Sequence, residues 1–130
     1  MTKLDLNNKT AVITGGATGI GFGLAKACGQ RGARVVIGEP RQARLDEAIT
    51  LLDQEGVIAR AFPVDVSVPA ELESFAEKAF AAFGDVALVI NNAGVGQKPG
   101  SVLDTSLEEM RRVMAVNFEG VWSGCKIFGE

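Results

Sequence analysis

Short apolar runs alternate along this chain with stretches whose apolar positions recur at helical spacing. Thr10–Thr14, Arg34–Gly38, Val57–Val64 and Val86–Asn91 read as strands. Ile20–Arg31, Arg41–Glu55 and Pro69–Phe83 read as helices, and a last helix opens near Ser106 and runs toward the end of the chain. The punctuation agrees. Gly32 and Gly56 stand where helices end, Pro69 stands in a first turn, and Ser106 and Glu109 have capping-box spacing. Leu45, Ala48, Ile49 and Leu52 share one face of the second helix. Gly94–Asp104, with Gly96, Pro99 and Gly100, reads as a surface loop that covers the ligand. Strand and helix in alternation predict repeated βαβ units, hence an α/β fold with a doubly wound parallel sheet. Right-handed crossovers order the strands 3-2-1-4.

That order puts a crevice at the carboxyl ends of strands 1 and 4, where the winding reverses. Four informative segments fall there: Thr14–Gly21 (TGGATGIG) after strand 1, Glu39 after strand 2, Asp65 after strand 3, and Asn91-Asn92-Ala93-Gly94 after strand 4. Gly15 permits a tight turn out of the strand, and Gly19 and Gly21 leave no Cβ where backbone must approach a pyrophosphate or a neighbouring segment. The helix opening near Ile20 offers free N–H groups and the positive end of its dipole to phosphates. The strand, glycine turn and helix therefore predict a Rossmann-type dinucleotide site. Glu39 lies 18 positions after Gly21, where a carboxylate accepts from the adenosine ribose hydroxyls and repels a 2′-phosphate. NAD(H) is the expected cofactor. Arg41, able to swing toward a phosphate, keeps NADP(H) possible.

Composition narrows the field further. At 130 residues the chain fits one domain, with 47% hydrophobic and 22% charged residues and a net charge of −3. Dispersed basic residues exclude a nucleic-acid surface, and the short, interrupted apolar runs exclude a membrane span. The acid-bearing start Met1-Thr2-Lys3-Leu4-Asp5 lacks the apolar core of a signal peptide, so a cytoplasmic location is expected. Cys28 and Cys125 are read as small helix-packing residues, and with no histidine there is no metal site to expect.

The spacing Thr14-Gly15-x-x-x-Gly19-x-Gly21, the pair Asp65-Val66, Asn91-Asn92-Ala93-Gly94, and Asn117 within Val116-Asn117-Phe118 together resemble the short-chain dehydrogenase/reductase family, over the whole chain. The resemblance implies that Gly15, Gly19, Ile20 and Gly21 line the pyrophosphate, with Thr18 also cofactor-binding and Thr14, another cofactor-binding residue, hydrogen-bonded to the loop after strand 4. It implies that Asp65 accepts from the adenine amino group while the Val66 backbone meets the ring. Asn91, with Ala93 and Gly94, would steady strand 4 and touch the adenosine-side ribose. Asn117 would hold, through its backbone at a helix irregularity, a water of the proton relay. Hydride transfer between a nicotinamide and an alcohol or ketone follows as the expected activity, in a homodimer or homotetramer assembled through the last helix. Val113, Val116, Phe118, Val121 and Trp122 supply apolar surface for that.

One departure bounds the expectation. The family's Tyr-x-x-x-Lys pair and upstream Ser are missing: the chain has no tyrosine, and Trp122 stands four positions before Lys126. Strand 4 is nearly all apolar, as a strand paired on both edges should be, yet strands 5 to 7 are absent. The expectation is therefore the N-terminal, cofactor-binding part of a longer domain, truncated at Glu130 and inactive by itself. The alternatives are a short protein or subunit that binds a dinucleotide without turnover, and an interaction module that binds none.

Overall fold

The structure, a computed structural model, describes residues 4–129. Met1–Lys3, part of the segment read for a leader, and Glu130, the expected end of the last helix, lie outside the described residues. Four parallel strands form one sheet: β1 (Thr10–Thr14), β2 (Arg34–Glu39), β3 (Ala59–Pro63) and β4 (Val86–Asn91). Their order is β3-β2-β1-β4, as the crossover rule requires. α1 (Gly19–Gly29), α2 (Gln42–Gln54) and α3 (Pro69–Phe83) make the connections.

Alternation along the strands divides the core into two layers. Ala11, Ile13, Val35 and Ile37 face α1 and α2 and pack with Ala25, Leu45, Ala48 and Leu52. Val12 and Val36 face the opposite way, onto Leu72, Phe75 and Ala79 of α3. Each fully buried aliphatic or phenylalanine side chain contributes about 1.5–3 kcal/mol of transfer free energy. Every residue of β1 is buried, so the strand that feeds the glycine turn is the most firmly held.

β4 differs. Among the described residues it pairs with β1 alone, its register slips between Thr10 and Ala11, and Ala87 is left exposed opposite the slip. Beyond β4 a 3₁₀ turn (Val102–Asp104) interrupts the expected loop. The expected single last helix is three pieces: α4 (Leu107–Met114), a π-helical segment (Ala115–Glu119) and α5 (Gly120–Phe128). Phe128 returns to the core, edge-on to Phe75 with ring centres 6.4 Å apart.

Other boundaries moved for identifiable reasons. α1 ends at Gly29, which packs so close to Val57 that a Cβ would overlap that side chain, and Gly32 (φ +84°) completes the turn. Val57 is consumed by that contact and Ile58 is exposed, so β3 starts at Ala59 rather than 57. Cys28 is buried as expected, whereas Cys125 is exposed on α5.

Candidate functional site

The crevice at the carboxyl ends of β1 and β4 is built first from backbone. Gly15 adopts φ +64°, and a Cβ there would stand 2.9 Å from both Ala93 Cα and Asn92 Nδ2. At Gly21 a Cβ would overlap the Gly15 carbonyl oxygen and lie 2.5 Å from Asn92 Nδ2. Both glycines are thus required by the protein's own packing. Gly16, not singled out by its sequence, is another such position, pressed against Ile37 of β2. Gly19 is different: φ is +56°, yet a Cβ there would meet nothing within 4 Å. Beside it Ile20 is 78% exposed, and extended Thr18 caps α1 without a side-chain hydrogen bond. The first N–H groups of α1 are left for another acceptor.

The segment after β4 is fastened to this turn. Thr14, almost fully buried, accepts at Oγ1 from the Asn92 and Ala93 N–H groups, both at 3.1 Å. Asn92 Nδ2 donates to the carbonyls of Thr14 (3.0 Å) and Gly15 (3.1 Å). Asn91 points elsewhere, toward α5, with Nδ2 3.5 Å from Cys125 Sγ and its carboxamide against Gly124. Asn117 lies in the π segment, where an irregularity was expected. Its side chain brackets Val95: Oδ1 accepts from the Val95 N–H and Nδ2 donates to the Val95 carbonyl, both at 2.8 Å. Gly94 lies directly beneath that amide.

The same segment meets α4 through an ion pair. Ser106 caps α4 by accepting from the Glu109 N–H, but the Glu109 carboxylate does not complete a capping box. Instead it accepts from the Lys98 N–H (3.0 Å) and from Arg112 Nε and Nη2 (3.0 and 2.9 Å). Arg112 Nη2 also donates to the Gly96 carbonyl at 2.9 Å. The Arg112 hydrogen bonds, then that of Lys98, hold the Glu109 carboxyl down to about 2.

Two acids border the far side. Glu39, 6% exposed at the end of β2, accepts at Oε1 from Arg41 Nε (2.9 Å) and backbone N–H (3.4 Å), with Arg44 Nη1 at 4.0 Å. Asp65 Oδ1 accepts from the Ser67 N–H (2.9 Å) and hydroxyl (2.6 Å), an Asx turn that leads into α3. Its own N–H donates to Glu71 Oε2 at 2.8 Å. Val66 is buried beneath Gly120, where a Cβ would come within 2.7 Å of it. Among the described residues no group of three His, Cys, Asp or Glu could hold a metal ion, and no helix is long and apolar enough to cross a membrane.

Reasoning from the residues alone missed the Asn92 side chain, the Asn117 amide and the Glu109–Arg112 pair. The first two act through carboxamides whose direction depends on tertiary context. Only the third left a trace, the acid at the third position of α4.

A parallel sheet of this order, leaving its first strand through a glycine turn into a helix N-terminus, defines a Rossmann-type α/β nucleotide-binding fold. Within that class, the short chain dehydrogenase family model matches residues 9–129, and the chain belongs to this family. It is 40% identical over 118 residues to a probable oxidoreductase, EphD, of Mycobacterium tuberculosis, covering 91% of this chain and 20% of that protein. It is 36% identical over 120 residues to L-rhamnose 1-dehydrogenase (NADP(+)) of Thermoplasma acidophilum, covering 92% of this chain and 44% of that protein. A short chain dehydrogenase/reductase from Burkholderia phymatum, solved in complex with NAD, matches with a TM-score of 0.92 at 31% identity, over 98% of this chain and 45% of that one. The chain spans less than half the length of each of these proteins.

Proposed function

We propose that the crevice binds NAD(H) as the cofactor half of an oxidoreductase acting on an alcohol or ketone. Gly19 carries this reading. Its left-handed backbone at the start of α1 is exposed and faces open space, so among the described residues no side chain stands between the helix N-terminus and a ligand. A pyrophosphate fits there, against the uncapped first turn of α1. Thr14, Gly15, Thr18, Ile20 and Gly21 complete that wall. Asp65 keeps one carboxylate oxygen without a protein partner among the described residues, available to an adenine amino group, and Val66 supplies the backbone beside it. Ala93 and Gly94 floor the ribose side, Asn91 steadies β4 from behind by turning its carboxamide to α5, and Asn117 anchors the wall beyond. The bound nicotinamide would supply or accept the hydride; this chain's residues bind and orient.

The cofactor preference rests on Glu39. Arg41 occupies one of its carboxylate oxygens, leaving the other for a ribose hydroxyl. The Glu39 carboxylate opposes a 2′-phosphate, and Arg41 is held on that carboxylate at 2.9 Å and not left free to pair with a phosphate. Calorimetric titration with NADH and NADPH tests this. NADH is expected to bind at least tenfold more tightly, a difference of about 1.4 kcal/mol, and Glu39→Ala to erase the gap. Tighter NADPH binding overturns the preference, and no binding of either at millimolar concentration overturns the dinucleotide reading.

Residues 1–130 are proposed to form one domain, which in the complete enzyme gains a strand against the free edge of β4. Exposed Phe118 and Trp122, each 61% accessible, suit the homo-oligomer expected for the family. Binding without turnover by the chain alone is the second reading, favoured by the lack of any tyrosine to act as proton donor.

A further inference from the structure

Three side chains of the last helix reach the same short stretch of loop. Glu109 holds the Lys98 N–H, Arg112 holds the Gly96 carbonyl, and Asn117 holds both polar groups of the Val95 backbone. Successive loop residues running away from β4 are therefore met by residues running back along the helix. A continuous α-helix would not present these three together. At about 100° per residue, Arg112 lies roughly 60° to one side of Glu109 and Asn117 roughly 80° to the other, an arc of about 140°. The π segment turns less per residue, so Asn117, its third residue, is swung part of the way back toward Glu109 and the arc narrows. The irregularity in the helix is a register correction.

We propose that Glu109 and Arg112 are positioning residues that, with Asn117 brought into line by the π segment, strap residues 95–98 down as a fixed wall at the mouth of the crevice. This rests on reading the crevice as the cofactor and substrate site, because it is the wall's place beside Ala93 and Gly94 that gives it a use. The ion pair itself is well made. Arg112 offers two nitrogens of its fork to one carboxylate while the same Nη2 reaches the Gly96 carbonyl, a geometry that lysine cannot reproduce. Gln97, exposed, lies between the fastened positions.

Amide hydrogen exchange on the chain, without ligand, tests the strap directly. Glu109→Ala is expected to speed exchange at Lys98 at least tenfold while leaving Gly15–Gly21 within twofold. Glu109→Gln, which keeps an acceptor oxygen, should restore Lys98 to within threefold of the parent. Arg112→Ala should loosen the loop, and Arg112→Lys should fail to rescue it. Deleting Ala115 from the π segment should free Val95 while Lys98 stays protected; where that variant does not fold, Asn117→Ala must give the same loss at Val95. Unchanged Lys98 exchange in Glu109→Ala, equal loosening by Ala and Gln, or uniform loosening of the whole chain overturns the proposal. NADH titration of the parent is independent: failure to bind removes the dinucleotide reading, while intact binding with no exchange effect removes only the strap.

Discussion

Gly19 and Gly21, two residues apart in sequence but different in what surrounds them, offer the sharpest test of how the crevice is made. Gly21→Ala inserts a methyl group that overlaps the Gly15 carbonyl oxygen and comes 2.5 Å from Asn92 Nδ2. Ordinary contact lies near 3.5 Å, so the start of α1 must retreat from the Gly15 carbonyl by more than about 1 Å, and the Asn92 hydrogen bonds shift with it. Overpacking of this kind against backbone costs about 3 kcal/mol, the upper end of the usual range. For a chain of this size that is a fall in Tm of roughly 10 °C. Gly19→Ala meets nothing, and its cost is the left-handed backbone alone, about 1–2 kcal/mol. Its methyl group, however, enters the space assigned to the pyrophosphate, so NADH affinity should fall at least about tenfold, or 1.4 kcal/mol. Thermal unfolding by circular dichroism and calorimetric NADH titration separate the two. A Gly19→Ala protein that binds NADH as the parent does would refute that site, and a Gly21→Ala protein of parental stability would refute the packing that positions it.

Further outcomes follow from the same geometry. Asn92→Ala removes two hydrogen bonds to the Thr14 and Gly15 carbonyls and should lower unfolding free energy by about 2 kcal/mol in urea titration, with a matching loss of NADH affinity. Glu109, held down to about 2 from 4.5 by Arg112 and Lys98, contributes stability that is fully present above the ordinary value and is lost only as pH falls through the depressed one. Its carboxyl resonance should therefore titrate near 2 in the parent and move up toward 4.5 in Arg112→Ala, and protection at Lys98 should survive at pH 4. Burial pushes the Cys28 thiol up despite nearby Arg31, so a disulfide reagent should label exposed Cys125 first and Cys28 at least about tenfold more slowly until the chain unfolds.

What the chain's pattern disclosed and what it concealed divide along physical lines. Strand order, the helices and their glycine stops depend on local periodicity and on the handedness of crossovers, and these are written in neighbouring residues. The positive φ at Gly15, Gly32 and Gly56 was legible for the same reason. The break in the last helix at Ala115–Glu119 was foreshadowed only by family resemblance around Asn117, since nothing in Met114-Ala115-Val116-Asn117 disfavours an ordinary turn strongly enough. Glu109 was read as half of a capping box, and its N–H does meet Ser106 Oγ. Its carboxylate went to Lys98 and Arg112 because a forked cation and a loop N–H outcompete the Ser106 N–H that a capping box would use. Asn91 and Asn92 look equivalent in sequence, yet one faces α5 and the other the glycine turn. Opposite faces of a strand explain the split, but no residue type announces which face is which.

The fastening of residues 92–98 also bears on affinity. Thr14 and Asn92 fix its first residues, Asn117 its middle and the Glu109–Arg112 pair its end, all through protein groups. Ordering one residue's backbone costs about 1–2 kcal/mol, so a mobile stretch of this length would impose on the order of 10 kcal/mol on any ligand that had to order it. Micromolar binding is worth only about 8 kcal/mol, and a loop ordered by the ligand would leave none of it. For the proposed dinucleotide to be held by backbone N–H groups beside Gly19, the walls must therefore be set beforehand. Binding of NADH should accordingly leave exchange at Val95 and Lys98 within about threefold of its ligand-free value, while protection grows at Gly19, Ile20 and Gly21. Large new protection at 95–98 would mean that the ligand, and not the helix, holds that wall.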